Sequence, residues 1–360
     1  MMEWVPVAYE TRSWLPQEGT LSRRRAAIET GTYESAIAPM IAHANPGLSA
    51  AVHARVEAAT VDMSLFDAEA SRLLGEHEFA PLSVVLLRSE SAASSQIENL
   101  TVGARQIALS ELGQAASVNA ATVSANVGAM KAALKLADDL SESSILAMHS
   151  TLMDRFPHAE PGRYRSSVVW IGGAGTRSAA FVPPFPSLLG PAMQDLVSFA
   201  QRTDLSALVH VALAHAQFET IHPFVDGNGR TGRALAHSML RAREVTRRVT
   251  VPVSAGLLHN VDQYFDALGA YRLGEIEPIV DVFVNAAEHA MANGRRLVGD
   301  LAELRQQWSA RIAARQGSAV WAALDVVIGQ PVLDIRYLSE HLKVSIPTAQ
   351  GAILALENAG

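Results

Sequence analysis

The segment 222–233 reads His222-Pro-Phe-Val-Asp-Gly-Asn-Gly-Arg-Thr-Gly-Arg233, and it combines an imidazole, a carboxylate, an amide and two guanidiniums with three glycines. Glycine has no Cβ, so the backbone of such a loop can approach a ligand closely. Leu235 and Met239, four positions apart, predict a helix with an apolar face after the loop. Free N–H groups and the helix dipole at such a helix start favour an anion, so the segment predicts an anion-binding site.

Four side chains of the segment predict chemistry on a phosphate compound. Arg230 and Arg233 are three residues apart and can grip neighbouring phosphates in bidentate fashion. A carboxylate inside an anion site is favourable when a cation lies between, so Asp226 predicts Mg²⁺, which takes one or two carboxylates together with phosphate oxygens. His222 is the titratable group suited to a general base near neutral pH.

This segment resembles the signature of the Fic family of nucleotidyltransferases, His-x-Phe-x-(Asp/Glu)-Gly-Asn-(Gly/Lys)-Arg-x-x-Arg. The constrained positions all match, at His222, Phe224, Asp226, Gly227, Asn228, Gly229, Arg230 and Arg233. The resemblance implies a protein adenylyltransferase that moves AMP from ATP to a hydroxyl side chain of a target protein. The competing interpretation is a Gly-rich turn between helices whose arginines are merely solvated.

The resemblance also implies a role for each matched residue. His222 would be the catalytic base, and Asp226 would hold Mg²⁺. Residues in the loop and beyond it would bind the nucleotide: Gly227, Asn228, Gly229, Arg230, Gly232, Arg233 and Tyr264. Tyr264 and Phe265 resemble an aromatic pair that lines the adenine pocket in the family, and ordinary core packing is the alternative for both.

A second motif resembles the regulatory helix of many Fic proteins, with the pattern (Ser/Thr)-x-x-x-Glu-(Gly/Asn). It reads Ser94-Ser-Gln-Ile-Glu98-Asn99, within a predicted inhibitory helix over about residues 82–99. Ser94 and Glu98 share a helix face because they are four residues apart. The resemblance implies that Glu98 pairs with Arg233 and excludes productive binding of the γ-phosphate. A solvated glutamate near a helix end is the alternative.

A β-prone stretch precedes the signature. Val168–Ile171 and Ala180–Val182 are separated by Gly172-Gly-Ala-Gly175, which predicts a hairpin over about residues 166–183. This hairpin resembles the Fic flap, on which a target protein docks by adding a strand. A decorative loop is the alternative.

The rest of the chain predicts an all-α protein: a Fic-type helical bundle with a β-hairpin flap and a C-terminal winged-helix-like module. We expect a helical N-terminal region at 1–110, a catalytic core at 111–300 and the C-terminal module at 301–360. Residues 1–25 are interpreted as an irregular arm, and 33–43 as part of a helix. His210 and His215 are expected to be hydrogen-bonded core histidines, and His149 a packed or surface one.

The C-terminal segment 334–357 resembles a winged helix-turn-helix whose wing is incomplete. Its second helix carries almost no basic residue, which disfavours DNA contact and favours packing or homodimer formation. A regulator that binds DNA through this module remains an alternative function. So does a phosphodiesterase that removes AMP from proteins, in which Glu98 would align a water molecule.

Composition narrows the class further. The 360 residues carry a net charge of −7 and no cysteine, so bulk attraction to nucleic acid, disulfides and thiolate chemistry are not expected. The N-terminus lacks a secretory pattern, and no apolar run reaches membrane length. We therefore expect a cytoplasmic protein with ATP and a target protein as partners.

Overall fold

A computed structural model describes residues 4–15, 22–73, 75–114 and 117–359. Its elements, in chain order, are β1 Ala8–Trp14, α1 Arg23–Glu29, β2 Gly31–Ile37, α2 Ala50–Leu73, α3 Gly75–Ile97, α4 Ala104–Glu111, α5 Val118–Lys135, α6 Glu142–Met153, α7 Leu189–Ala200, α8 Ala207–Ile221, α9 Asn228–Ala242, α10 Val253–His259, α11 Val261–Arg272, α12 Glu277–Ser309, α13 Ala319–Gly329, α14 Ile335–Leu342 and α15 Ile346–Ala359. The predicted helical class is confirmed.

The chain forms two compact units, each assembled from separate segments. The first unit takes residues 1–58, 129–243 and 260–284, and the second takes 59–128, 244–259 and 285–360. The first unit contains the whole of the signature segment.

Helix α8 is the centre of the first unit. All of its residues are buried, as its nearly continuous apolar sequence predicts. Helices α7, α9 and α11 pack against it, and α6 packs against α9. Polar side chains of α8 are satisfied inside the unit: Thr220 donates to the carbonyl of Ala216 at 2.8 Å, and Gln217 donates to that of Pro39 at 2.7 Å. The buried helix α8 therefore gives rigid support to its own C-terminus and to the signature that follows it.

The sheet of the first unit lies where the sequence predicted other structure. Strands β1 and β2 pair antiparallel, with Ala8 opposite Ile37 and Trp14 opposite Gly31. The predictions of an irregular arm at residues 8–14 and of a helix from Tyr33 were therefore wrong. Tyr33 and Ser35 are buried and Glu34 is exposed, an alternation typical of a strand that covers a core with one face. Part of the predicted arm, residues 1–3 and 16–21, lies outside the described residues.

The predicted flap departs from a hairpin. Residues 168–182 form one isolated bridge, between Ile171 and Phe181, instead of two paired strands. The segment is held from the side of β2, because Ala36 N–H donates to the carbonyl of Val182 at 2.9 Å. Ile171 and Phe181 pack with Val7 and Ala36 in a small apolar cluster.

The second unit contains the remaining helices. Helix α3 packs against α10 and α13, and α13–α15 close around the buried Leu338. Lys343 ends α14 in the left-handed conformation and α15 begins at Ile346, which matches the predicted helix-turn-helix segment. Residues 310–359 contain no strand. None of the described helices combines the length and apolarity required to cross a membrane.

Candidate active site

His222 occupies the C-terminal end of the central helix α8. It adopts the left-handed conformation with φ 49°, and its N–H donates to the carbonyl of Phe218 at 2.8 Å. Pro223 follows, and proline cannot extend a helix. A non-glycine residue in this conformation is uncommon and costs energy, so the surroundings must hold it there. The imidazole keeps about a fifth of its surface accessible.

The loop between α8 and α9 is closed by one side chain. The amide of Asn228 accepts from Phe224 N–H and donates to the Phe224 carbonyl, both at 2.9 Å. This pair of bonds draws the first residue of α9 back onto the loop. Asn228 therefore shapes the loop, while its predicted contact with a phosphate remains a prediction.

Gly227 caps helix α9 with φ +81° and lies on helix α6. A Cβ at this position would stand 3.0 Å from the Met153 sulfur. Glycine is required for both reasons, the backbone conformation and the close approach. The N-terminus of α9 thus starts directly behind Asp226, whose Oδ1 accepts from Gly227 N–H at 2.6 Å.

The guanidiniums of the signature lie inside the unit. Arg230 and Arg233 are almost fully buried, while the Asp226 side chain is about half exposed. Arg230 Nη2 lies 3.5 Å from Asp226 Oδ1. Buried cations next to a helix N-terminus create a positive potential at the loop, which suits a polyanion such as a nucleotide phosphate chain.

A further carboxylate stands close to His222. Glu219, one turn earlier on α8, is buried, and its Oε2 lies 3.9 Å from His222 Nδ1. A Cβ on Gly232 would meet Glu219 Oε1 at 2.8 Å, so the glycine at position 232 gives the carboxylate its space. A carboxylate on the Nδ1 side favours an imidazole whose Nε2 is free to accept a proton.

Arg165 anchors the turn at His222 from outside the signature. Its Nε donates to the carbonyl of His222 at 2.9 Å, and its terminal nitrogens donate to the carbonyls of Ser167 and Pro184 at 3.0 and 2.6 Å. Burial lowers its pKa to about 10, which still leaves it charged at neutral pH. One side chain thus joins His222 to Ser167 and Pro184, at the two ends of the predicted flap segment 166–183.

His149 of α6 holds the other side of the loop. Its Nε2 lies 2.9 Å from the carbonyl of Asp226, and its Nδ1 accepts from Gly162 N–H at 3.0 Å. The ring stacks on Phe224 with a centroid distance of 3.7 Å and an interplanar angle of 3°. Burial lowers the pKa of His149 to about 4.

Comparison with known proteins shows which families and structures this chain is similar to. The profile of the Fic/DOC family matches residues 139–240, a range that begins shortly before α6 and ends in the last turn of α9. Over 165 residues it is 28% identical to protein adenylyltransferase fic-1 of Caenorhabditis elegans, a match that covers 45% of this chain and 29% of that protein. Over 156 residues it is 30% identical to protein adenylyltransferase Fic of Drosophila grimshawi, covering 42% and 30%.

Two solved structures have a fold similar to that of this chain. A Fic family protein from Desulfovibrio desulfuricans superposes with a TM-score of 0.57 at 24% identity, over 85% of this chain and 88% of its own. A fragment of Fic-1 from C. elegans superposes with a TM-score of 0.53 at 21% identity, over 70% and 74%. The match to the curated relatives spans less than a third of their length. The comparisons therefore show a match to the Fic/DOC family over residues 139–240 and a similar fold.

Two predicted core histidines within the matched range 139–240 are confirmed. His210 Nε2 lies 2.7 Å from the carbonyl of Phe199, and His215 Nε2 lies 2.9 Å from the hydroxyl of Tyr264. Tyr264, predicted to bind the nucleotide, is itself buried, whereas about half of Phe265 is exposed. The role of Tyr264 in nucleotide binding stays a prediction.

The regulatory motif lies in the second unit, at the end of α3. Ser94 is buried, and Glu98 is exposed immediately after the last helical residue. Asn99 takes φ 61°, Asn99 N–H donates to Gln96 and Leu100 N–H donates to Ser95. These two bonds form a Schellman end, which requires a left-handed residue and therefore favours Gly or Asn. The last position of the motif thus stops the helix directly after Glu98.

Sequence reasoning missed three contributors to the site: His149, Arg165 and Glu219. Glu219 could have been found, because it lies one helical turn before His222. No spacing points to His149 and Arg165, because their partners lie 77 and 57 residues away in the chain.

Proposed function

We propose that this protein is an adenylyltransferase that transfers AMP from ATP to a hydroxyl side chain of a target protein. The observation that carries the proposal is the placement of His222 beside a helix N-terminus with two buried arginines. A base next to an anion cradle is the minimum that phosphoryl-type transfer needs, since positioning and charge neutralisation dominate such catalysis. The names of the curated relatives point to the same activity.

The reaction follows from these positions. Nε2 of His222 would take the proton from the target hydroxyl, and the freed oxygen would attack the α-phosphorus. The bond from the α-phosphorus to the oxygen bridging the β-phosphate breaks, and pyrophosphate leaves. The amides from Gly227 to Gly229 would hold the α- and β-phosphates, and Arg230 and Arg233 would neutralise charge on the β- and γ-phosphates.

Asp226 fits the magnesium ion that such a reaction uses. Mg²⁺ requires few protein ligands when phosphate oxygens supply the rest. Asp226 is a half-exposed carboxylate at the entrance of the anion loop, and only one of its oxygens is engaged by Gly227 N–H. Among the described residues no group of three or more His, Asp or Glu side chains could hold a metal by itself. Bound there, Mg²⁺ would neutralise charge on the phosphates and orient them.

Glu98 is proposed to restrain this reaction by pairing with Arg233, as the resemblance implies. An exposed carboxylate at a helix end is suited to reversible engagement, and Asn99 keeps it at that end. The target protein is proposed to dock on the segment 166–183. A cytoplasmic setting remains a proposal that rests on the composition.

Transfer of label from ATP tests the proposal. Glu98→Gly protein should label itself or added proteins with [α-³²P]ATP and Mg²⁺, more strongly than wild type. The same protein should give no label with [γ-³²P]ATP. Adding His222→Ala to Glu98→Gly should reduce the label by about 100-fold or more, the range typical for loss of a general base.

Circular dichroism must show that the double variant is folded. Label from the γ-phosphate would indicate a kinase instead of an adenylyltransferase. Full activity of the double variant would show that another group takes the proton. Faster loss of AMP from pre-labelled protein with wild type than with Glu98→Gly would favour the phosphodiesterase alternative.

A further inference from the structure

The ring of His149 makes three contacts, and each reaches a segment that the reaction needs. Its Nε2 is 2.9 Å from the carbonyl of Asp226, its Nδ1 is 3.0 Å from Gly162 N, and its face covers Phe224. The three partners come from two segments, 222–230 and 160–165. The side chain belongs to helix α6 and is completely buried, so water does not compete for these contacts.

The hydrogen-bond partners determine the tautomer without reference to pH. A main-chain N–H can only donate, so Nδ1 must carry a lone pair toward Gly162. A carbonyl can only accept, so Nε2 must carry the proton toward Asp226. The ring is neutral, with one donor and one acceptor, and both are used.

Helix α6 supports the loop at a second place. A Cβ on Gly227 would stand 3.0 Å from the sulfur of Met153, and a Cβ on Gly162 would stand 3.0 Å from the Cβ of Ser150. Both segments therefore lie directly on α6, with His149 between them. From Gly162 the chain continues to Arg165, which binds the carbonyl of His222.

We infer that His149 is a positioning residue that holds the anion loop and the segment leading to Arg165 in a fixed position relative to each other. Fixing the carbonyl of Asp226 fixes the direction of its side chain and of the following amides. Fixing Gly162 places Arg165, and with it the main chain of His222. This inference rests on the proposed function for its catalytic meaning, while the positioning itself is a property of the nucleotide-free protein.

Two substitutions of His149 each keep one of its two hydrogen bonds and remove the other. Glutamine in place of His149 can present an N–H near the position of Nε2 and so keep the bond to Asp226. Asparagine can present an oxygen near the position of Nδ1 and so keep the bond to Gly162. His149→Leu removes both. His210→Asn is the matched control, because His210 is also buried and also bonded to a main-chain carbonyl, that of Phe199 in α7.

Hydrogen exchange of nucleotide-free protein is the first measurement. The peptide covering 222–230 should exchange faster by about 3- to 10-fold in His149→Asn and His149→Leu, the effect of one lost hydrogen bond. His149→Gln should stay near wild type in this peptide, and His210→Asn should lower the melting temperature without a selective effect there. In the Glu98→Gly background, KM for Mg·ATP should rise in the same order, with Gln rescuing.

Equal exchange in the Gln and Asn variants, or an unchanged loop in His149→Leu, overturns the inference. If the Asn variant does not fold, ¹⁵N spectra of the histidine rings in wild type decide, with His149→Gln assigning the signal. They should show His149 as the Nε2–H tautomer at neutral pH, and an Nδ1–H or doubly protonated ring overturns the inference. Exchange and spectra do not depend on transfer, so absent labelling by ATP would refute the proposed function alone.

Discussion

At the scale of single residues, the site depends on backbone conformations that ordinary side chains avoid. His222, Gly227 and Asn99 all take positive φ, and each ends or starts a helix beside a proposed functional group. His222 and Asn99 accept this conformation at a cost, while Gly227 does so freely. The signature glycines are thus explained by chain geometry as much as by access to a nucleotide.

Gly227→Ala is expected to damage the site directly. The new Cβ would lie 3.0 Å from the Met153 sulfur, and the alanine would have to adopt a φ of +81°. We expect a loss of roughly 1–3 kcal/mol in stability, the cost of a strained backbone position, together with weaker binding of Mg·ATP. Melting curves and a fluorescent ATP analogue measure the two effects.

Gly269→Ala is the control for that substitution. Gly269 lies in helix α11 with ordinary φ, and nothing stands within 4 Å of its added Cβ. Alanine should stabilise the helix there by about 0.5–1 kcal/mol and leave nucleotide binding unchanged. If the two alanine variants behave alike, the close approach of the loop to α6 is not what Gly227 provides.

At the scale of elements, the tip of the flap segment is fastened to the C-terminal end of helix α1. The carboxylate of Glu29, at the end of α1, accepts from the Ser178 hydroxyl at 2.7 Å and from Arg177 N–H at 3.0 Å. Arg177 in turn donates to the carbonyls of Ile28 and Thr30 at 2.6 and 3.0 Å. This latch compensates for the absence of a paired hairpin, since an isolated pair of short strands is marginal by itself.

Glu29→Ala should release the flap tip. Arg177 is exposed, so trypsin can cut after it once the segment moves freely. We expect faster cleavage after Arg177 in limited digestion, followed by mass spectrometry, with little change in the melting temperature. Glu34→Ala is the control, because Glu34 is exposed and, within the part of the chain that the structure describes, its side chain accepts a hydrogen bond only from the Thr11 hydroxyl in β1. Cleavage at equal rates in both variants would show that Glu29 does not hold the tip.

At the scale of the molecule, buried neutral histidines make stability depend on pH. Burial lowers the pKa of His210 to about 4 and that of His215 to about 3, from a usual value of 6.5. The unfolded chain therefore binds protons that the folded chain does not, once the pH falls below 6.5. The stability that these two neutral histidines contribute is fully present above pH 6.5 and is lost as the pH falls toward 4.

We expect each of these two histidines to cost roughly 1 kcal/mol at pH 5.5 relative to pH 7.5. Urea unfolding of the nucleotide-free protein at the two pH values measures their sum together with the contribution of His149, whose pKa burial also lowers to about 4. His210→Gln can keep the bond to the Phe199 carbonyl but carries no group that titrates in this range, so it should lose less stability on acidification than wild type. An equal loss in this variant and in wild type would mean that His210 does not contribute.

The domain organisation also belongs to this scale. The sequence-based boundaries near residues 110 and 300 remain predictions, while the compact units are built from segments that alternate along the chain. Helix α15 carries no lysine or arginine, so the proposed packing role of the C-terminal helices still outweighs DNA contact.

The amino-acid sequence determined the helical class, the loop that opens α9 and which imidazole, guanidiniums and carboxylate lie there. These features are local, because apolar spacing, glycine positions and a contiguous signature carry them. Tertiary structure decided the strands β1 and β2, the reduction of the flap to one bridge, and the anchoring of the loop by His149 and Arg165. Strand pairing and buried hydrogen bonds join residues distant in sequence, and such partners leave no periodic trace in the chain.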